Sequence, residues 1–263
     1  MTMTTIKARN TASDSPNPIH TEEARQHGFR GGIVPGLTLY AYLVRPLVDI
    51  WGPTWLQNGQ METQFRAPVY DGDEIVVSAE RISGPDSAFR ISVRNENGDE
   101  CVRGTALQAR DRPAVEVAAY PSVPAVDAPL DEGTPERLAA DGTLWDFPVE
   151  TGVEYVQDYL TQIGEVNPVY DDVLHPAVIA RVSAYIVGRQ FEFHGPRIHT
   201  SLRTRSLATA PVDAELTARG RIVKVWERNG SHYLRSDLLV VNAAGDPIMQ
   251  IDSESIFRLG ARS

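Results

Sequence analysis

The sequence predicts an α+β protein made of two similar halves, each with one buried helix followed by antiparallel strands. Two repeated features indicate this fold class. The tetrapeptide NPIH at Asn17–His20 returns as NPVY at Asn167–Tyr170, 150 residues later, and the turns Asn97–Asp99 and Ala244–Asp246 lie 147 residues apart. The two offsets agree within three residues, which favours an internal duplication. Chance similarity between two unrelated αβ segments is the alternative.

Each half contains an apolar helical stretch after its Asn-Pro motif. The first stretch runs from Gly36 to Val44 and the second from Ala177 to Val187. Both are apolar around most of the helix circumference, which indicates burial on more than one side. We expect a sheet to wrap around each helix, because a helix of this kind must bury its surface against another layer.

Alternating segments rich in Val, Ile and Tyr follow each helix and predict half-buried antiparallel strands. In the first half these segments are Glu74–Ile82, Phe89–Asn95 and Glu100–Arg110; in the second they are Ala214–Trp226, His232–Asn242 and Pro247–Phe257. The two sheets could also pair edge to edge as one layer, since this would remove two exposed edges.

A proline-rich segment separates the halves. Five prolines between Asp111 and Phe147 oppose regular helix and sheet. We expect a surface linker with one short helix at Pro135–Ala140. The predicted domains are therefore an N-terminal unit at 1–112, a linker at 113–147 and a C-terminal unit at 148–263.

Composition argues against several classes of function. The 263 residues carry a formal net charge of −10, so nucleic acid would be repelled. The single cysteine, Cys101, excludes an intrachain disulfide framework, and we expect it to be a small buried apolar residue. No apolar stretch suits a bilayer span or a signal peptide. We expect a cytoplasmic protein that binds neither nucleic acid nor membrane.

Motifs for metals and nucleotide cofactors are missing from the sequence. No spacing among the six histidines matches a zinc site, and no glycine-rich phosphate loop occurs. Metal binding by His194 and His199, which bracket a Gly-Pro turn, is not expected. We therefore predict a reaction that uses no metal and no cofactor.

A run of residues in the first half resembles the signature of MaoC-like, R-specific enoyl-CoA hydratases and dehydratases. That signature reads Asp-x-Asn-Pro-apolar-His. The chain matches it at Ser13–His20, with its continuation at Ala24, Gly28, Phe29, Ile33 and Gly36 and its Gly-Asp turn at Val69–Asp73. The resemblance covers residues 8–110 and 152–259. It implies a double hotdog fold, in which two antiparallel sheets each wrap around one long central helix.

The chain departs from the signature at the acidic position in both halves. Counting back from Asn17, the family's Asp falls at Ser15, and Asp14 lies one residue earlier. In the second half Glu165 stands at the Asp position and Tyr170 at the His position. A tyrosine hydroxyl with a pKa of about 10 suits acid–base chemistry at neutral pH poorly. The first half is therefore the better candidate for a hydratase site.

The resemblance implies addition or removal of water at a 2-enoyl or 3-hydroxyacyl thioester. His20 and Asp14 would form the acid–base pair, the Gly36 amide would stabilise the oxyanion at the helix start, and Asn17 would hold the loop. Structural roles stay open beside these: His20 as support of a buried turn, Asp14 as a solvated or capping residue, and Gly36 as a helix-start glycine.

Other candidates are a second site and a phosphate contact. Glu165, Tyr170 and His175 could form a pocket in the second half. One or two arginines could contact a coenzyme A phosphate, although most of them are expected to be ordinary surface charges. These arginines are Arg81, Arg90, Arg94, Arg103, Arg197, Arg203 and Arg205.

Two alternative functions remain beside the hydratase acting on an acyl-CoA thioester. The shifted Asp14 and the altered second half would also fit a lyase or cyclase that acts on a substrate without coenzyme A, and a pocket with no basic mouth would favour that version. The third hypothesis is a non-catalytic hotdog subunit that partners an active homologue. Association into a homodimer stays open in each case.

Overall fold

The computed structural model of the chain describes residues 1–82, 88–108, 114–140 and 142–260. The strands are β1 Thr2–Lys7, β2 Gly59–Phe65, β3 Glu74–Ile82, β4 Ala88–Asn95, β5 Glu100–Gln108, β6 Asp131–Glu132, β7 Thr143–Pro148, β8 Phe191–Glu192, β9 Ile198–Ser206, β10 Leu216–Arg228, β11 Ser231–Asn242 and β12 Pro247–Arg258. The helices are α1 Gly36–Trp51, α2 Thr54–Asn58, α3 Pro135–Ala140, α4 Val153–Gln162, α5 Pro176–Ala180 and α6 Val182–Tyr185.

Ten of these strands form one antiparallel sheet in the order β1-β3-β4-β5-β2-β9-β12-β11-β10-β7. The first five strands come from the first half of the chain and the last five from the second. The halves meet where Gln60–Gln64 of β2 pair with Ser201–Arg205 of β9. The expected two sheets are therefore one continuous sheet, the edge-to-edge arrangement that the sequence left open, because the two edge strands satisfy each other's backbone groups.

Helix α1 is buried against the first half of the sheet. Pro35 directly precedes the helix, and every residue from Leu37 to Val44 is buried. It contacts β3, β4 and β5 of its own half and also reaches β9, where the Tyr40 hydroxyl lies 2.9 Å from Thr204 Oγ1. Among the described residues no helix has both the length and the apolar character that a bilayer span requires.

The second buried helix is interrupted, where the sequence predicts one continuous helix at 177–187. The structure divides this stretch into α5, α6 and a 3-10 turn at Ile186–Arg189. The Ser183 hydroxyl donates a hydrogen bond to the Ala180 carbonyl at 2.8 Å, a local bond that competes with regular helix geometry. The interruption places Arg181 between the two short helices.

The two predicted turns have the same construction. Gly98 has φ +81° and Gly245 has φ +87°, which is left-handed backbone that glycine adopts without strain. In each turn an asparagine side-chain oxygen, Asn95 Oδ1 or Asn242 Oδ1, accepts two backbone N–H groups at 2.8–3.1 Å. The repetition of these contacts supports the internal duplication.

The segment between the halves is less irregular than predicted. Helix α3 occupies Pro135–Ala140, as the sequence predicts. Residues 143–148, however, form β7, which pairs with β10 at the edge of the sheet. The predicted linker end at 147 therefore falls inside a strand. The predicted boundary at 112 and the predicted strand end at Arg110 lie outside the described residues.

Candidate active site

The NPIH motif forms a 3-10 turn at Pro18–His20 whose shape depends on Asn17. The Asn17 side-chain oxygen caps the turn by accepting the Ile19 N–H, and the Asn17 N–H donates to Ser15 Oγ at 3.1 Å. Pro18 suits the first position of the turn because it has no N–H to satisfy. His20 is thereby held at a fixed place relative to Asn17.

Asn17 also joins this turn to the second half of the chain. Its Oδ1 accepts the Arg197 N–H at 3.1 Å, and its Nδ2 donates to the Arg197 carbonyl at 2.8 Å. Both ends of the amide are therefore bonded to the backbone just before β9. The loop that carries His20 and the segment that carries Arg197 are thus positioned by one side chain.

The His20 ring is anchored through one nitrogen. Nδ1 lies 2.9 Å from the Ile33 carbonyl oxygen, which can only accept, so Nδ1 carries the proton and a neutral ring leaves Nε2 unprotonated. Burial lowers the pKa of His20; the bond to Ile33 opposes this change, and the charges of Arg197 and Arg181 add to it. At neutral pH the imidazole is therefore neutral and ready to accept a proton at Nε2.

A cavity of about 360 Å³ lies between the two halves and is lined by His20. The first half supplies residues of the loop at 15–20, the start of α1 and residues 65–69; the second supplies parts of 181–187, 193–200 and 255–259. Much of the lining is apolar, including Phe29, Ile33, Val34, Leu37, Phe65, Val187, Phe193 and Phe257. A concave, mostly apolar space with a few polar groups is typical of a small-molecule site.

Gly36 lines the cavity as the first residue of α1. A Cβ at this position would lie 3.1–3.2 Å from the Phe65 ring, so the missing side chain lets that ring pack over the helix start. N–H groups in the first turn of a helix have no intrahelical partner and lie at the positive end of its dipole. Among the described residues, the Gly36 N–H donates no hydrogen bond. It can therefore donate to a carbonyl oxygen in the cavity.

Three side chains of the second half line the same cavity: Arg181, Arg197 and His199. From the sequence, Arg197 was a candidate only for a phosphate contact, metal binding by His199 was not expected, and Arg181 was not a candidate. His199 Nε2 lies 3.5 Å from the Ser183 hydroxyl oxygen, and burial, with smaller effects of His20 and Arg197, lowers the pKa of His199 to about 4. Contacts between the two halves, such as the pairing of β2 with β9 and the bonds of Asn17 to Arg197, bring these residues to the NPIH loop. No local sequence signal could have indicated these contacts.

Asp14 lies apart from the cavity. Its side chain is exposed, it is not among the described residues that line the cavity, and no hydrogen bond or ion pair joins it to His20 in the described part of the chain. The described lining contains no Asp or Glu at all. The predicted His20–Asp14 pair is therefore not formed, because the residue at the signature's acidic position is Ser15.

The second-half candidates, Glu165, Tyr170 and His175, pack into a buried cluster. Glu165 Oε2 accepts a hydrogen bond from Arg45 Nε of α1 at 3.2 Å, and the Glu165 side chain is only 4% exposed. Its other oxygen, Oε1, accepts the N–H groups of Val166 and Asn167, each at 2.9 Å. The carboxylate is thus fully engaged in structural bonds.

Tyr170 and His175 pack against each other beside this ion pair. Their ring centroids are 4.6 Å apart, and both residues are buried. His175 Nδ1 accepts the Ala177 N–H at 3.1 Å as the cap of α5. Burial lowers the pKa of His175 to about 4 and raises the pKa of Tyr170 well above its usual range. None of the three residues lines the cavity.

The remaining sequence candidates are not brought together with His20, Arg197 excepted. Cys101 is fully buried, as predicted, and burial raises the pKa of its thiol. Among the arginines considered for a phosphate, Arg197 lines the cavity, whereas Arg203 pairs with Glu62 and Arg90 with Glu80. The described residues contain no group of three or more His, Cys, Asp or Glu side chains that could hold a metal ion.

Solved structures share this architecture. A protein from Chloroflexus aurantiacus described as a MaoC domain protein dehydratase matches with a TM-score of 0.66 at 13% identity, covering 98% of this chain and 94% of that chain. A MaoC-like dehydratase matches with a TM-score of 0.57 at 14% identity, over 98% of both chains. A protein from Lactobacillus plantarum described as an oleoyl thioesterase matches with a TM-score of 0.54 at 8% identity, over 98% of this chain and 97% of that chain.

No protein-family model matches the chain, and no curated protein matches it in sequence. The structural neighbours include MaoC-like dehydratases and a protein described as a thioesterase, and this chain has their hotdog fold. At these identities the likeness shows the fold alone, so the reaction has to be argued from the cavity.

Proposed function

We propose that the chain is a hydratase or dehydratase that adds or removes water at a 2-enoyl or 3-hydroxyacyl thioester. In this proposal the protein is a double hotdog, with one unit per half joined at β2 and β9. The observation that carries the proposal is the neutral His20 ring, anchored through Nδ1 and exposed to an apolar cavity beside the start of α1.

One imidazole is sufficient for the proton transfers. In dehydration, His20 Nε2 takes the proton from C2 of the 3-hydroxyacyl thioester, and the electron pair moves onto the thioester oxygen. The Gly36 N–H donates to that oxyanion. The imidazolium then returns its proton to the departing hydroxyl as the C3–O bond breaks, so that the C2=C3 bond and one water molecule form. Hydration follows the same steps in reverse.

This mechanism differs from the sequence expectation in its acid–base group. The family signature implies a carboxylate beside the histidine, and we propose instead that His20 acts without Asp14. The supporting observations are the exposed position of Asp14 and the absence of carboxylates from the described lining. His199, which is neutral in the same cavity, is the nearest alternative proton donor or acceptor that the geometry offers.

A basic residue at the cavity favours a thioester of coenzyme A over a substrate that lacks it. Arg66 lines the cavity, and its side chain is 45% exposed. Its Nη1 lies 3.8 Å from Oε2 of Glu100, in a long ion pair. An exposed guanidinium in this place can contact a phosphate at the protein surface. The alternative of a lyase on a substrate without coenzyme A predicts a mouth with no such group.

The test is turnover of crotonyl-CoA and 3-hydroxybutyryl-CoA by the purified chain, with free thiol measured in parallel. We expect hydration and dehydration without thiol release, and a loss of at least about a hundredfold in kcat/KM for His20→Gln. His194→Gln is the matched control, because His194 is exposed and does not line the cavity. Thiol release would indicate a thioesterase. No turnover of any thioester, or full turnover by His20→Gln, would overturn the proposal.

A further inference from the structure

The cavity has a charge opposite to that of the whole chain. The protein carries a formal net charge of −10, yet the described lining contains Arg66, Arg181 and Arg197 and no acidic residue. Mostly apolar walls strengthen the field of these charges, because they exclude water. The cavity is therefore suited to a ligand that brings a negative charge of its own.

Arg197 has no counter-ion in the described part of the chain. Its guanidinium makes no hydrogen bond or ion pair there; it stacks on Phe193, with Cζ 5.1 Å from the ring centroid. It also packs so closely on Gly188 that a Cβ at that glycine would lie 2.9 Å from Nη1. Burial lowers the pKa of Arg197, which reflects the cost of holding this cation away from water.

Arg181 is surrounded by aromatic residues in the same way. Its Cζ lies 4.6 Å from the Tyr159 ring centroid and 5.6 Å from that of Tyr155, and Nη2 lies 3.3 Å from the Tyr185 hydroxyl. Its Nε is buried without a hydrogen-bond partner in the structure, and no carboxylate pairs with the side chain among the described residues. Aromatic faces stabilise a guanidinium without neutralising it.

Both arginines line the same cavity as His20. After burial, their positive charges also contribute to the lowered pKa of His20. In an acyl-CoA the long pantetheine arm separates the phosphates from the acyl carbons. A negative charge received beside His20 therefore belongs to the acyl chain, since the phosphates must lie at the far end of that arm.

From this arrangement we infer that the substrate is an acyl thioester whose acyl chain carries a carboxylate, and that Arg197 and Arg181 bind this carboxylate. The inference rests on the proposed hydratase function and names its substrate class. Asn17 then has two tasks, since it supports the turn of His20 and clamps the backbone of Arg197. It sets the distance between the proton-transfer group and the carboxylate.

The binding test uses saturated thioesters, which cannot be hydrated. The wild-type chain should bind succinyl-CoA at least about tenfold more tightly than butyryl-CoA in a calorimetric titration, because the two differ only by a carboxylate in place of a methyl group. Arg197→Met should abolish this ratio, and Arg197→Lys should restore part of it. Arg203→Met, on the strand that follows Arg197 but paired with Glu62 and not among the residues that line the cavity, should leave it unchanged.

The turnover test uses the matching enoyl pair, fumaryl-CoA and crotonyl-CoA. Wild type should prefer fumaryl-CoA in kcat/KM by at least about tenfold, and Arg197→Met should remove that preference. Equal binding of succinyl-CoA and butyryl-CoA by wild type would overturn the inference. So would an equal loss of affinity for free coenzyme A and both thioesters in Arg197→Met, since this would assign Arg197 to a phosphate.

The two proposals can fail separately. Turnover of crotonyl-CoA without any preference for a carboxylate would leave the hydratase function standing and remove the inference. Tight, Arg197-dependent binding of succinyl-CoA without hydration of either enoyl thioester would support the carboxylate site and remove the hydratase function.

Discussion

The two Asn-Pro turns are capped in the same way and have different surroundings. Asn17 and Asn167 each cap a 3-10 turn by accepting an N–H two residues later. Beside the first turn lies a cavity, and beside the second lies a buried ion pair. The scaffold is therefore repeated, whereas the space for a ligand is found here beside the first turn.

One pair of equivalent positions explains much of this difference. The residue two before the asparagine is Ser15 in the first half and Glu165 in the second. Glu165 is long enough to pair with Arg45 of α1, and Tyr170 and His175 pack beside it. At the first turn Ser15 accepts the Asn17 N–H and lines the cavity, and the second-half residues Arg181 and Arg197, which line the same cavity, have no acidic partner among the described residues. We conclude that the second turn is built into the core, whereas the first turn borders the space that both halves leave for a ligand.

Removing Arg45 should destabilise the buried cluster beside the second turn. Arg45→Met leaves the 4%-exposed Glu165 without its cation and should lower the free energy of unfolding by about 3 kcal/mol, because an unpaired buried charge is costly. Urea denaturation measures this change. The double variant Arg45→Met/Glu165→Gln should recover most of the loss. A change below about 1 kcal/mol in the single variant would show that the ion pair does not hold this half together.

The buried His175 should make stability depend on pH. Its pKa falls from 6.5 to about 4 on folding, so between these values the unfolded chain binds the proton and the folded chain does not. Stability therefore decreases as pH falls through this window, by about 2 kcal/mol between pH 7 and pH 5 from this residue.

His175→Asn isolates that contribution, since asparagine keeps an acceptor for the Ala177 N–H and does not titrate. Urea midpoints measured from pH 5 to pH 7 should vary less in this variant than in wild type. An unchanged pH dependence would contradict a neutral, buried His175.

Crowding the first half should impair its chemistry without unfolding it. A Cβ on Gly32 would lie 2.3 Å from the His20 carbonyl oxygen, so Gly32→Ala must displace the His20 backbone. We expect kcat/KM to fall by about tenfold or more, because the imidazole loses its position. Gly31→Ala is the control, since its Cβ would meet only side-chain atoms at 3.6 Å and beyond. Equal activities of the two variants would contradict the positioning argument.

Asp14→Asn should have the smallest effect. The side chain is exposed and lies outside the described lining of the cavity, so we expect kcat/KM within about twofold of wild type and stability within about 0.5 kcal/mol. Steady-state kinetics decides this. A loss of a hundredfold would restore Asp14 as the partner of His20 and refute the mechanism that uses the imidazole alone.

The sequence predicted the features that depend on local chemistry. Period-two alternation located β3 with its observed bounds, Glu74–Ile82, and the Pro35–Gly36 pair located the start of α1. The Asn-Gly-Asp and Ala-Gly-Asp turns also have the left-handed glycines that such turns require. These signals lie within a few residues of the structure they determine.

The features that the sequence missed depend on contacts between the halves. Asn17 meets Arg197 across 180 residues, and β2 meets β9 in the middle of the sheet. The sequence therefore indicated Arg197 only as one of several possible phosphate contacts and gave His199 no role. The predicted partner of His20, Asp14, was chosen one residue away from the signature's acidic position, and its side chain is exposed.

The central claim is that His20 moves the proton at C2 of the substrate, and deuterium incorporation tests it most directly. Hydration of an enoyl thioester in D₂O should place one deuterium at C2 in the wild-type product, as measured by mass spectrometry. His20→Gln should lower the rate of this incorporation at least about a hundredfold, while His175→Asn should retain it. Incorporation at the wild-type rate by His20→Gln would contradict the account.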